Sequence, residues 1–287
     1  MQMAVIAGGS ILAAVLEVAL SYTLPGAGRP RFRWDAEARG ALLHFGGWIF
    51  LSTACTFLAS QADRLVVGKL SLETLGVYHV AATIAALPAA LVAALGTQVA
   101  FPLVSAAVRR GDEPGAAFRR AHRGLVVFAG LLATGAVCVG PLVIALVYDQ
   151  RYAAASGFLQ LLGLYAWVTM LIVPGELWLL AHDQPRALAV GQGVRLACLP
   201  GVLYAGYQLA GVNGLIYGMA AGEAVRYAVV AAYVRKSGER LIGFDLALTL
   251  TAAAVAGVYL AAVDATAARR LAPAAAWGRR TFAGVRP

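Results

Sequence analysis

The sequence contains eight long apolar runs, and these runs limit the possible folds more than any other feature. They cover residues 3–24, 41–60, 75–107, 124–147, 153–181, 187–208, 211–234 and 244–263. About 20 residues of α-helix cross the hydrocarbon layer of a bilayer. Only helices and closed barrels satisfy their backbone in lipid, and the sequence lacks the short alternating segments of a barrel. The runs therefore predict an all-α polytopic membrane protein with about eight transmembrane helices.

The composition supports the same class of protein. Hydrophobic residues make up 61% of the chain and charged residues only 13%, whereas a soluble domain carries roughly 25% charged residues. The net charge of +9 is of the sign that attracts nucleic acid. However, the arginines are spread over short connectors and form no basic domain, so we expect no nucleic-acid partner.

The connectors between the runs differ in positive charge, which predicts the topology. Connectors after the first, third, fifth and seventh runs hold 13 Lys and Arg residues, and those after the second, fourth and sixth hold three. Positive charge is retained in the cytoplasm, so the first set is predicted to be cytoplasmic and residues 61–73 external. The basic tail would then lie outside, against the same rule, so its side stays open. After Asp264 the tail lacks periodicity, which is typical of disorder.

Charged residues deep in apolar runs are costly in lipid and therefore mark candidate functional sites. Glu223 and Arg226 are three residues apart and share a helix face. They form either a structural pair that neutralises itself or a solvated pair that faces substrate. Arg195 has no carboxylate close in sequence, which favours a water-filled surrounding. Glu17 and Glu176 are further candidates, each nearer the end of a run.

Two other patterns concern helix packing. Gly214, Gly218 and Gly222 recur at every fourth residue, and such a stripe lets another helix approach closely. The third run contains Pro88 and Pro102, so we expect its helix to be interrupted or kinked.

No pattern indicates an enzyme or a cofactor. A nucleotide-binding loop and a legible set of catalytic residues are missing from the sequence. The three cysteines and four histidines are scattered, which gives a metal site no support. We therefore expect no enzymatic activity, no cofactor and no metal.

One stretch resembles a known family. Residues 46–112 include Gly46–Gly47 as a helix start, then "SQADRLVVGK" with Asp63–Arg64, "LGVY", "LP" and "FP". This pattern resembles the middle of bacterial Wzx-like polysaccharide flippases, which belong to the multidrug/oligosaccharidyl-lipid/polysaccharide superfamily. Further along, "PGELWLLAHDQPRALAVGQGVRL" and "GVNGLIYGMAAGE" extend the resemblance to about residues 41–235.

The resemblance implies a fold, a substrate and a site. Members have two six-helix lobes around a cationic cavity and move an undecaprenyl-diphosphate-linked glycan outward. Residues 41–235 are then one six-helix lobe, 1–40 a preceding transmembrane helix with a basic cytoplasmic linker, and 236–287 an additional helix with the basic tail. The implied location is the bacterial cytoplasmic membrane. The implied partners are a polyprenyl-diphosphate-linked glycan, membrane lipid, and either a first lobe or a second copy of the chain.

The implied substrate-binding residues are the charged side chains Arg195, Arg226, Glu223, Arg64 and Asp63. Arg195, Arg226 and Arg64 would supply positive charge to the diphosphate. For the Asp63–Arg64 pair an alternative is an interfacial anchor, in which Arg64 and Lys69 extend to the lipid headgroups.

Three other functions stay open. A cation-coupled multidrug exporter of the same superfamily would favour an excess of carboxylates in the cavity, whereas the candidates here lean basic. A membrane glycosyltransferase or polymerase would need a large external loop with catalytic residues, and the external connectors are short. A non-transporting remnant or partner subunit would fit a chain with a single lobe.

Overall fold

A computed structural model describes residues 2–23, 36–111, 113–149, 152 and 154–258. These residues form helices joined by short turns and include no strand, which confirms the predicted all-α class. Most of the predicted linker and tail, residues 24–35 and 259–287, lies outside the described residues.

The helices are long and follow one another with short connections. They are α1 (Gln2–Thr23), α2 (Ala36–Leu70), α3 (Leu72–Leu95), α4 (Phe101–Arg110), α5 (Pro114–Val147), α6 (Ala155–Ala181), α7 (Pro185–Lys236) and α8 (Ile242–Val258). A π-helical segment, Gly96–Ala100, joins α3 to α4.

In the part of the chain that the structure describes, each predicted run coincides with one of these helices or with part of one, except that the third run covers α3, the π-helical segment and α4. Within the described residues, five stretches are long and apolar enough to cross a membrane: Leu42–Lys69, Leu72–Arg110, Pro114–Gly140, Ala155–Ala181 and Pro185–Lys236. Two shorter apolar stretches, Ile11–Leu20 and Ile242–Val258, lie in α1 and α8. The chain is therefore a multi-pass membrane protein.

The chain divides into two compact units, Met1–His44 and Phe45–Pro287. In the first unit, the apolar side chains described in α1 are exposed, as expected of a helix that faces lipid. In the second unit, α6 is the central helix and packs against α3, α5 and α7. Buried side chains of α6 such as Leu159, Met170 and Leu179 belong to three apolar clusters along its length.

The longest helix, α7, reverses direction near its middle. The backbone is not helical at Ala210 and Gly211, and Gly211 has a φ of +60°, a value that glycine adopts without steric penalty. We call residues 185–209 the first arm and residues 212–236 the second arm. The reversal matches the boundary between the predicted runs 187–208 and 211–234.

The two arms pack against each other through glycine. A Cβ atom built on Gly206 would lie 2.1 Å from the carbonyl oxygen of Gly214, and one on Gly218 would lie 2.5 Å from that of Val202. No real side chain fits at such distances, so glycine is required. The predicted packing role of the glycine stripe is confirmed, and its partner is the chain's own first arm.

The prolines of the third run act differently from each other. Pro102 lies at the start of α4, directly after the π-helical segment. Proline lacks an N–H and clashes with the carbonyl four residues earlier, so a wider turn before it relieves the clash. Pro88 lies inside α3 without ending it. The predicted interruption is therefore confirmed at Pro102 only.

The end of α2 corrects one sequence interpretation. Residues 61–70 were expected in an external connector, but they continue the helix to Leu70. Ser71 alone separates α2 from α3, and its hydroxyl accepts a hydrogen bond from the N–H of Thr74 as an N-cap. Gly46–Gly47 also lie within α2 and do not start a helix.

We predict that Gly206→Ala or Gly218→Ala destabilises the protein because each new methyl group would meet backbone atoms of the other arm. Overpacking of this kind costs about 1–3 kcal/mol. The midpoint of thermal unfolding in detergent should fall for both variants. Gly193→Ala is the control, since no atom lies within 4 Å of its Cβ position. Equal midpoints for all three variants would contradict the proposed packing.

The charge pattern predicts that Glu73 faces the outside of the cell and Glu113 the cytoplasm. Both side chains are exposed, so each can be replaced by cysteine in a background without the three native cysteines. An impermeant thiol reagent added to intact cells should label the cysteine at 73 and spare that at 113. The opposite labelling would reverse the topology.

Candidate functional site

Four charged side chains, two of each sign, meet between α6 and the two arms of α7. Glu223 lies at the centre: its Oε1 is 2.9 Å from Nη2 of Arg195, and its Oε2 is 2.9 Å from Nη1 of Arg226. Arg226 also places its Nη2 2.5 Å from Oε1 of Glu176. We call Glu176, Arg195, Glu223 and Arg226 the charge cluster.

The reversal of α7 brings the charge cluster together. Arg195 lies on the first arm and Glu223 on the second, and the antiparallel packing of the arms sets them side by side. Arg226 is on the same helix face as Glu223, as predicted from their spacing. Glu176 comes from α6, which packs along both arms.

Neutral polar side chains satisfy further hydrogen bonds of the two arginines. The hydroxyl of Tyr165 accepts a hydrogen bond from Arg195 at 3.3 Å. With the Gln192 amide turned so that its oxygen faces Arg226, that oxygen accepts from Nε at 3.0 Å and from Nη2 at 3.2 Å. Within the described residues, Nε of Arg195 has no hydrogen-bond partner.

The charge cluster is mostly buried. The side chains of Arg195 and Glu223 are 3% and 1% exposed, that of Arg226 9%, and that of Glu176 22%. The expectation that a water-filled surrounding would stabilise Arg195 is therefore wrong. A carboxylate from the other arm neutralises this arginine, and sequence spacing does not reveal that contact. The charge cluster contains two acids and two bases, whereas the candidate residues identified from the sequence lean basic.

A separate cavity of about 250 Å³ lies between α2, α3, α6 and the second arm. Its polar wall includes Asp63 and Arg64 of α2, Tyr78 of α3 and Tyr165 of α6. Room for it comes from four small residues of α3 beyond Tyr78, namely Ala82, Ala85, Ala86 and Ala89. The cavity lies near the end of α2 that the charge pattern places outside.

Asp63 and Arg64 have different environments although they are adjacent. Asp63 is 5% exposed, and its Oδ2 accepts a hydrogen bond of 2.6 Å from the hydroxyl of Tyr78. Its Oδ1 has no partner among the described residues. Arg64 is exposed and forms no ion pair with any residue that the structure describes. The two residues therefore contribute separately to the cavity.

Tyr165 connects the cavity to the charge cluster. Its side chain lines the cavity, and its hydroxyl lies 3.5 Å from Oε1 of Glu223 as well as 3.3 Å from Arg195. The structure thus brings Arg195, Glu223 and Arg226 together, and places Asp63 and Arg64 in a neighbouring site. That these five residues bind substrate stays a prediction.

A further set of buried polar side chains links α5, α7 and α8, and no sequence pattern indicates it. Nε2 of His122 lies 2.7 Å from Oδ1 of Asp245, and the hydroxyl of Tyr227 donates to Oδ2 of Asp245 at 2.6 Å. These residues lie on α5, α8 and α7, so no local spacing links them. They attach α8 to the helices of the second unit, together with the hydrogen bond from Trp167 to Thr249.

Comparisons with known proteins relate this multi-pass membrane protein to polysaccharide biosynthesis proteins. A family model described as "Polysaccharide biosynthesis protein" matches residues 3–157. The chain is also similar to the teichuronic acid biosynthesis protein TuaB of Bacillus subtilis (strain 168), with 24% identity over 156 residues, which is 54% of this chain and 32% of TuaB. The chain therefore spans about a third of the length of this curated relative. No solved structure matches it.

We predict that Glu223→Ala strongly destabilises the protein because it leaves two buried guanidinium groups without their shared carboxylate. Breaking a buried ion pair in this way costs about 3–5 kcal/mol. The thermal midpoint in detergent and the amount of protein in the membrane should both fall. Glu73→Ala removes an exposed carboxylate and is the control. If Arg195→Leu is added to Glu223→Ala, part of the loss should be recovered; no recovery would argue against the Arg195–Glu223 pair.

Proposed function

The chain belongs to the polysaccharide biosynthesis protein family, and on this basis we propose that it is one lobe of a flippase. In this proposal the lobe takes part in moving a polyprenyl-diphosphate-linked glycan across the bacterial cytoplasmic membrane. A role in polysaccharide biosynthesis follows from the family, whereas translocation and the substrate are the proposed steps.

The observation that carries the proposal is the cavity beside Asp63 and Arg64. It lies within a set of membrane-crossing helices and combines a charged wall with an apolar remainder formed by residues such as Leu162 and Met219. A lipid-linked glycan needs such mixed surroundings because its head is polar and its lipid is apolar. The exposed guanidinium of Arg64 can approach a diphosphate without giving up an ion pair to any described residue.

The charge cluster supports a different role for the other two arginines. Arg195 and Arg226 already donate to Glu223, and Arg226 also to Glu176. They could contact the diphosphate only if the ion pairs exchanged partners. We therefore propose that Arg64 makes the first contact with the diphosphate and that the charge cluster mainly holds α6 and the two arms in place.

The connections between the described helices favour transport over polymerisation or glycosyl transfer. On the side predicted to be external, the turns after α2 and within α7 consist of one or two residues. Neither turn has room for a set of catalytic side chains, and the third connection on that side, between α5 and α6, is limited to residues 148–154. We accordingly propose that the protein moves its substrate without covalent chemistry.

A midplane transport site normally forms between two repeats, and we propose that this lobe works against a second one. In a cell that lacks its polysaccharide flippase, the chain together with a matching six-helix first lobe should restore surface polysaccharide at least partly. The chain alone should not. Surface polysaccharide can be measured by antibody binding, with the protein in the membrane quantified in parallel. Robust export by the chain alone would contradict the need for a second lobe.

Within that two-lobe system, Arg64→Gln should reduce export severalfold while the protein level is unchanged. Lys69→Gln is the matched control because Lys69 is an exposed base at the same end of α2 but does not line the cavity. Equal export by the two variants would remove Arg64 from the proposed site.

A further inference from the structure

We propose that Asp63 recognises the glycan itself, by accepting a hydrogen bond from a hydroxyl group of the sugar next to the diphosphate. This inference rests on the proposed function and names the part of the substrate that enters the cavity.

The described residues supply a hydrogen bond to only one of the two oxygens of Asp63. The carboxylate is 5% exposed, one oxygen accepts from Tyr78 at 2.6 Å, and the other has no partner among the described residues. A buried acceptor without a donor is costly, and such atoms in proteins usually have a reason. Here the side chain lies in the wall of a cavity, and a bound molecule can supply the missing donor once a small adjustment of that wall uncovers Oδ1, which is closed off in the structure.

The missing donor determines the chemistry of that molecule. It must donate a hydrogen bond, which excludes the ionised diphosphate because its oxygens only accept. A metal cation would take several oxygen ligands, but Asp63 is the only carboxylate that the described residues contribute to the cavity wall, and Arg64 adds a positive charge there. A sugar hydroxyl both donates and accepts, so it can donate to Asp63 and accept from Arg64.

The side chains of Asp63 and Arg64 differ in their exposure. Asp63 is buried and Arg64 is exposed, although both line the same cavity. This order suits a substrate whose lipid stays in the membrane, whose diphosphate contacts Arg64 at the rim, and whose first sugar enters beside Asp63. The cavity, about 250 Å³, is much larger than an ion.

Tyr78 acts in this proposal as a positioning residue. Its hydroxyl donates to Oδ2 of Asp63 and lies 3.5 Å from the sulfur of Met219. Its ring packs edge-on against Phe158 with centroids 6.0 Å apart. These contacts fix the ring, so Tyr78 holds one carboxylate oxygen and leaves the other for the ligand.

The test compares two lipids that differ only in the sugar. The chain is reconstituted in nanodiscs, with the first lobe if export requires it. Binding of undecaprenyl diphosphate capped as its methyl ester, and of the same lipid bearing one hexose in place of the methyl group, is followed by tryptophan fluorescence, so that both lipids carry the same charge. The unaltered protein should bind the sugar-bearing lipid more tightly, by about tenfold, as expected for a charge-assisted hydrogen bond. Asp63→Ala should abolish this preference and leave binding of the bare lipid within about twofold.

Further variants separate recognition from folding. Asp63→Asn keeps the shape of the side chain and should lose most of the preference, because the acceptor is no longer charged. Tyr78→Phe should reduce the preference less, since the carboxylate remains but is less well held. Glu73→Gln, which removes an exposed carboxylate at the start of α3, should leave the preference unchanged.

Four outcomes would overturn the inference. Tight binding of both lipids with no preference in the unaltered protein would show that the sugar is not recognised, while the proposed function would stand. A preference that survives Asp63→Ala would assign recognition to other residues. Sodium-dependent binding lost in Asp63→Asn would make the cavity a cation site. Failure to bind either lipid would reject both this inference and the proposed substrate.

Discussion

Glu223 bonds one arginine through each of its two oxygens, and much of the second unit depends on this arrangement. Lipid surroundings provide little hydrophobic drive for helices to associate, so close packing and polar contacts must specify their positions. The reversal at Ala210–Gly211 and the contact between Gly206 and Gly214 bring the arms of α7 close enough for Arg195 to reach Glu223. Arg226 then reaches Glu176 and ties the arms to α6.

The polar groups of the second unit thus form two sites with different properties. In the charge cluster each ionised group has a partner of opposite sign, whereas in the cavity Asp63 and Arg64 keep hydrogen-bonding capacity that the described residues do not use. Tyr165 touches both sites. A ligand that competes for its hydroxyl would act directly on a hydrogen bond of Arg195, which couples the two sites through one side chain.

Several features were accessible from the sequence because they depend on local patterns. The apolar runs reveal the helices, and charges within them point to Arg195, Glu223 and Arg226. The partner of Arg195 was not accessible, since it depends on how two arms fold back over a distance of 28 residues. Asp63 was expected in a connector because polarity near a span end resembles a loop, yet α2 continues and buries it. The pair of His122 and Asp245 joins separate helices, and neither residue has a sequence neighbour that signals the other.

The balance of the charge cluster has an electrical consequence. A charge that moves across the full membrane potential exchanges about 2.3 kcal/mol per 100 mV with the field. Two arginines and two glutamates that move as one rigid group carry no net charge, so their displacement does almost no work against that field. The charge cluster therefore adds almost no voltage dependence to a tilt of α6 and α7. Arg64, which forms no ion pair with a described residue, would carry a voltage dependence if it changed depth.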